Sequence, residues 1–395
     1  VSDAHGNAAT PASRTITLDK LAPQVSIDAT LEVDNIVNNA EEASVVVTGT
    51  SAGAAGRTVT VTATDINGDT DSGTATIATD GTYSVTLDVN ALADGNLTIT
   101  ADVSDLAGNA AAQASKTITL DDTAPTVTID GTLEGDNKVN ASEDGDVVVS
   151  GSSSGLAAGS TVSVTLADSS STVSTTATVL SSGAWVAEPA DISALTDGNI
   201  TVTANASDTA GNAASAATKT ITLDNAAPTI TIDATLEGDN IVNIAEDDTV
   251  VISGTTANVE DAQTVTVTFS DGTTTISKTA SVSSDAFALT GGQIADITNL
   301  NDGPITVTAS VSDAHGNAAT TASRTITLDN LAPQVSIDAT LEVDNIVNNA
   351  EEGSVVVTGT SAGAAGRTVT VTADDSNGGT SAVSGTATIA TDGTY

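Results

Sequence analysis

The sequence predicts an all-β chain of seven-stranded antiparallel β-sandwiches in tandem, arranged as an extended rod. Three observations predict it. One block recurs down the chain: "APQVSID" from Ala22, "APTVTID" from Ala124, "APTITID" from Ala227 and "APQVSID" from Ala332 set Pro23, Pro125, Pro228 and Pro333 at spacings of 102, 103 and 105 residues. Inside each block, Val, Ile and Ala alternate with Thr, the two-residue period of a strand with one face inward. Gly, Asp and Asn punctuate those segments, and a helical period is nearly absent.

In the first complete copy the strands are expected near 23–28, 44–50, 57–64, 72–78, 82–88, 96–103 and 113–120. The first opens on Pro23, which tolerates only the start or edge of a ladder. "TVTVTAT" and "NLTITAD" give the third and sixth their alternation. Asp80-Gly81 supplies the hairpin turn between the fourth and fifth. Just after that turn each copy places one aromatic, Tyr83, Trp185, Phe287 or Tyr395, which reads as a core plug. The expected divisions are 1-20 (the C-terminal part of a sandwich), 21-122, 123-225, 226-330 and 331-395 (the N-terminal part of one). Residues 1–63 and 311–373 differ only at Pro11/Thr321, Lys20/Asn330 and Ala43/Gly353, so a three-repeat cassette is duplicated.

Charge narrows the partners. With 51 acidic against nine basic residues and a net charge of -42, the chain is no partner for nucleic acid, whose phosphates need Lys and Arg. No apolar run reaches the ~18 residues of a membrane helix, so no membrane contact is expected within this stretch. Absence of cysteine removes disulfides and thiolate sites. The start in mid-pattern at "VSDAHGN" reads as part of a longer chain.

The "AP-x-[VI]-x-ID" opening, "L-x-DG" before the sixth strand and "D-x-x-GN" before the seventh (Asp3, Asp105, Asp208 and Asp313) recur in fixed phase over the whole chain. This set resembles the tandem bacterial Ig-like repeats of giant secreted adhesins, the RTX-type and biofilm-associated surface proteins. The resemblance implies Ig-like sandwiches, an extracellular location on a bacterial surface, and a calcium-rigidified stalk that carries an adhesive module lying elsewhere. The partners implied are the neighbouring repeats, with the target of the whole adhesin unknown.

Strand order in such a sandwich places the first-to-second and fifth-to-sixth connections at the end where the chain leaves, its tail, and the sixth-to-seventh connection at the head. The stretch "DATLEVDNIVNNAEE", Asp28 to Glu42, then joins Asp94 and Asp121 at one tail, facing Asp208 and Asn212 at the next head. Crowded carboxylates repel, and Ca2+ resolves this by taking six to eight oxygens in flexible geometry. Magnesium, with its tighter octahedron, is second choice. The candidate metal ligands are Asp19, Asp28, Asp34, Asn38, Glu41, Asp94, Asp105, Asn109 and Asp121 in and before the first copy. In the second they are Asp130, Asp136, Asn140, Glu143, Asp197, Asp208, Asn212 and Asp224. Asp233, Asp239, Asn243, Glu246, Asp302, Asp313, Asn317 and Asp329 follow in the third, then Asp338, Asp344, Asn348 and Glu351. The competing explanation is solvated turns that select Asp and Asn for their own backbone bonding.

Other classes fit less well. The two histidines, His5 and His315, share one position that reads Ala107 and Ala210 in between, which argues against a catalytic role and an enzyme. A Lys-Asn crosslink needs an amine, and the one repeated basic position reads Arg14, Lys116, Lys219, Arg324. Glycan binding wants clustered aromatics, ice binding would use the Thr rows, and a filament subunit would exchange strands. These stand behind the stalk.

Overall fold

In the computed structural model, which describes residues 1–374 and 382–395, helix is confined among the described residues to two single turns, Glu42–Ser44 and Gly291–Gln293. The chain divides into two compact units, Val1–Asn225 and Ala226–Tyr395.

In the first unit, the first complete repeat consists of β1 (Gln24–Ile27), β2 (Ile36–Val37), β3 (Val45–Ala52), β4 (Thr58–Thr64), β5 (Thr70–Thr76), β6 (Thr82–Leu87), β7 (Gly95–Val103) and β8 (Ala114–Leu120). One sheet has the order β1-β3-β6 and the other β2-β8-β7-β4-β5. All seven expected strands are present. The additional one, β2, lies inside the stretch read as a connection, and it pairs parallel to β8 with Ile36 opposite Thr119 and Val37 opposite Leu120. Two residues carry too little alternation to be seen as a strand in sequence.

Alternation builds the core. Val45 and Val47 of β3, Val59 and Val61 of β4, Val85 and Leu87 of β6, Leu97 and Ile99 of β7, and Ile118 and Leu120 of β8 are buried between the sheets. Threonines on the same strands face outward, as the two-residue period requires. These aliphatics bring about 1.5–3 kcal/mol each on full burial.

The fixed aromatic is the plug of that core. Tyr83 is buried over Gly49 of β3 and donates its hydroxyl to the Ser26 carbonyl at 2.8 Å. Trp185 repeats the arrangement over Gly151, and Phe287 over Gly254. A Cβ on Gly151 would collide with the Thr128 carbonyl and lie 2.5 Å from the indole, so only glycine fits beneath the ring.

The second repeat has the same two sheets. Thr126–Ile129, Ser150–Ser154 and Ala184–Val186 form one; Lys138–Asn140, Ala217–Asp224, Gly198–Asn205, Thr161–Ala167 and Thr172–Thr178 form the other. In the second unit, Thr229–Ile232, Ser253–Ala257 and Ala286–Ala288 face Ile241–Asn243, Ala322–Asp329, Gly303–Ser310, Thr264–Ser270 and Thr275–Ser281. Two further pairs follow, Gln334–Ile337 with Gly359–Ala362 and Thr368–Ala373 with Val383–Thr388. Three separate hydrophobic clusters result, one per complete repeat.

Candidate functional site

The acidic connection after β1 splits into two parts. Its first part, residues 28–35, crosses from the three-stranded sheet to the five-stranded one and stays short of the tail. Asp28 still pairs with the middle of β3, its amide donating to the Thr48 carbonyl at 2.9 Å. Thr48 is three residues, about 10 Å, from the tail end of that strand. Leu31 is buried and anchors the crossing, and Asn35 closes it by accepting the Leu31 amide at 3.0 Å on its side chain.

Each acid of the crossing holds a named donor. Asp28 takes the Thr48 hydroxyl at 2.5 Å, Glu32 the Val46 amide at 2.5 Å and Asp34 the Ile36 amide at 2.9 Å. Ser150 donates likewise to Asp130, Ser253 to Asp233 and Thr358 to Asp338. Asp136, Asp239 and Asp344 take the amides of Lys138, Ile241 and Ile346. Each of these acids therefore has a hydrogen-bond partner that the crossing itself supplies. The repeated basic position serves the same loop: Lys116 Nζ donates to the Ala29 carbonyl at 2.5 Å, Lys219 to Gly131 and Arg324 to Ala234.

The second part, residues 38–42, is the tip that reaches the tail. Glu41 accepts the Asn38 amide at 3.1 Å, and Glu143, Glu246 and Glu351 do the same for Asn140, Asn243 and Asn348. Asp94 comes up from the β6–β7 connection and holds the linker, taking the Asp122 amide at 2.9 Å and the Thr123 hydroxyl at 2.7 Å. Asp197 and Asp302 hold Asn225 and Asn330 in the same way, and Asp329 takes the Leu331 amide at 3.3 Å.

Within the first unit the next head meets this tail. Asp208 folds the "DTAGN" turn by accepting the Ala210 and Asn212 amides, both at 2.9 Å. Asn38 Nδ2 donates to the Ala210 carbonyl at 3.1 Å, the Asn39 amide donates to Asn212 Oδ1 at 2.9 Å, and Asn212 Nδ2 donates to the Asp121 carbonyl at 2.7 Å. The preceding joint has the same design: Asn109 Nδ2 donates to Asp105 at 2.8 Å and reaches the Asp19 carbonyl at 3.4 Å. In the second unit Asp313 and Asn317 form the same turn, with Asn317 Nδ2 2.8 Å from the carboxylate. The histidine position contributes its backbone to that turn, since the His5 and His315 amides donate to Asp3 and Asp313 at 2.9 Å.

Electrostatics single out two carboxylates. Burial, then Asp208 across the joint and Asp94 beside it, raise the Asp121 pKa above the ordinary aspartate value. Burial and the neighbouring Asp122, Asp88 and Asp94 raise that of Glu42. Glu42 was outside the sequence candidates although acids recur at its position as Asp144 and Asp247. In the second repeat the linker residue is Asn225, whose Nδ2 lies 3.4 Å from Asp144, where the first sets Asp122 against Glu42. Also missed were Asp65, Asp168 and Asp271, which tie the β4–β5 turn and its counterparts to the β6–β7 connection. Asp65 accepts the Ala93, Asn67 and Asp69 amides at 2.8–2.9 Å, and these bonds hold its pKa below the usual range.

A bacterial Ig-like domain family model matches residues 23–122 and 127–225, and a group 3 bacterial Ig-like model matches 189–290. Among solved structures, the chain is similar to a tetra-tandem repeat in the extending region of a large adhesion protein, at 32% identity over 95% of this chain and 90% of that one, with a TM-score of 0.34. It is also similar to a Ca2+-stabilized adhesin that helps an Antarctic bacterium reach out and bind ice, at 31% identity over 95% and 90%, with a TM-score of 0.40. A third similarity, 28% identity over 80% and 100% with a TM-score of 0.36, is to a 1.5-MDa bacterial ice-binding adhesin. Among curated proteins nothing matches.

Proposed function

The chain belongs to the bacterial Ig-like domain family, and we propose that it is a structural extender of a bacterial surface adhesin, in which Ca2+ stabilises the joints between repeats. The observation that carries the reading is the joint between the first two complete repeats. There a tail and a head of the same module meet through matched groups, and the chemistry spent at that place is contact between repeats. The role follows: cell adhesion or biofilm support outside the cell, with the adhesive module elsewhere. The similar adhesins, one of them Ca2+-stabilized, support this reading.

The joint fits a hard cation better than the crossing does. Asp121 and Asp208 approach from opposite repeats, and every charged group acting on Asp121 is another acid. The Ala210 and Asp121 carbonyls beside them already accept Asn38 Nδ2 and Asn212 Nδ2, so the oxygens offered to a cation are those of the carboxylates, the hard donors calcium takes. Asp121, Asp208 and Asp94 are the ligands we assign, with Asp19 and Asp105 at the preceding joint. Asp28 and Asp34, set in the crossing away from the joint, fall outside this set.

A cation bound only by the folded joint stabilises it by mass action, about 2.7 kcal/mol at a hundredfold excess over Kd. Thermal melts of the chain followed by Trp185, which sits in the second repeat's core, are expected to shift upward with calcium and to shift less in Asp121→Ala. Equal shifts in both proteins would leave Asp121 with no part in metal binding.

A further inference from the structure

We propose that the "DTAGN" turn, Asp208 to Asn212, is a receptor for the tail of a preceding copy of the same module, and that it sets the register of the joint with neutral groups, without a cation. Three hydrogen bonds tie the tail to this turn, and all three involve uncharged groups: Asn38 Nδ2 to the Ala210 carbonyl, the Asn39 amide to Asn212 Oδ1, and Asn212 Nδ2 to the Asp121 carbonyl. Asn212 is 3% exposed and uses both ends of its amide, accepting from one repeat while donating to its linker and to its own Asp208 at 3.0 Å. Part-buried bonds between neutral groups respond little to salt or chelator, unlike the Asp121–Asp208 pair beside them.

The residue type is dictated by that geometry. Aspartate there has no N–H for the Asp121 carbonyl, and alanine reaches neither partner. Gly211 clears the approach at φ +96°, and a Cβ on it would stand 3.4 Å from Asn38 Nδ2. On the tail side the receptor reads backbone at residue 39, whose counterparts are Ala141 and Ile244, so its side chain is free to vary. Asn38 is read by its side chain, and Asn140, Asn243 and Asn348 stand at its position. Asn109 against the Asp19 carbonyl is the second instance within the first unit. The inference goes beyond the calcium reading and does not depend on it.

The chain has no cysteine, so spin labels can be placed at will. Labels on Thr74→Cys and Thr176→Cys, both exposed strand positions, report the distance between the two repeats by double electron–electron resonance. In excess EDTA the parent is expected to give one narrow distribution, and Asn212→Ala one at least twice as wide. Asn205→Ala, an exposed asparagine of the same repeat, is expected to leave the width unchanged. Trp185 emission checks that the second repeat stays folded; where Asn212→Ala reddens it, Asn38→Ala, made in the other repeat, replaces it with the same broadening expected. A broad parent distribution that narrows only with calcium overturns this proposal and leaves the cation joint standing. An unchanged width in both the Asn212 and Asn38 variants overturns it as well.

Discussion

Val33 occupies the left-handed region at φ +68°, and so does Val343 at +69°, where the second and third repeats place Gly135 and Gly238 at +82° and +83°. A β-branched residue there costs about 1–2 kcal/mol, and its exposed side chain returns nothing. Val33→Gly is therefore expected to stabilise the first complete repeat by about 1 kcal/mol after the entropy cost of glycine, and so to raise its melting temperature. Calorimetry checks it, and a lower melting temperature would refute the strain. Asp122 sits against Glu42 where the second repeat has Asn225 near Asp144, so Asp122→Asn is expected to stabilise the first repeat at pH 7 in EDTA. Acid acts on these residues in two senses. Asp65, Asp168 and Asp271, held low by backbone amides, lend stability that is present above their unfolded value of 3.8 and lost as pH falls through the folded one. Glu42 and Asp121 are raised, so their charge costs stability that returns as pH falls through their folded values toward 4.5 and 3.8. Melts in EDTA are expected to hold steady or rise from pH 7 to 5 and to drop below about 4. A continuous fall beginning near pH 6 would contradict both assignments.

At the scale of elements, the long strands were legible because each presents alternating apolar residues to one sheet face, as in "TVTVTAT" of β4. β2 was not, since two residues hold no period and its partner β8 lies more than eighty residues away. That single short strand also decides the site. It pulls residues 28–35 into a crossing, so Asp28 and Asp34 work on backbone and hydroxyl donors at mid-sandwich, while Asn38 and Asp121 reach the joint. Sequence spacing grouped these loops at one end but carried no measure of how far along the sandwich each acid sits. Leu31 fixes the crossing from inside, and Leu31→Ala is expected to cost about 2–5 kcal/mol as a cavity at the foot of the loop. Denaturant unfolding measures it; a cost near zero would mean the crossing stands on its polar bonds alone.

At the scale of the molecule, three cores with no shared buried residue make each complete repeat its own cooperative unit. Gly151→Ala, which drives a methyl into the Thr128 carbonyl and the Trp185 ring, is expected to lower only the transition that Trp185 reports. Loss of all transitions together would show that stability is pooled across repeats. The tandem plan was plain in the sequence because the proline-led block keeps its phase; the cross-joint bonds were not, because they run through backbone groups of Ala210, Asn39 and Asp121 that any residue supplies. The parallel pairing of β2 with β8 has a mechanical consequence. Tension along the chain draws β2 back toward the point of entry and β8 forward toward the exit, so the two slide past each other. The bonds from the Thr119 amide to the Asn35 carbonyl and from the Asp121 amide to the Val37 carbonyl, both 2.9 Å, are then sheared together, where an unzipping hairpin would lose them singly. Thr119→Pro, which deletes the first of these bonds, is expected to lower the rupture force of that repeat in single-molecule stretching. On this geometry the shortest strand of the sandwich is the one expected to brake its opening under load.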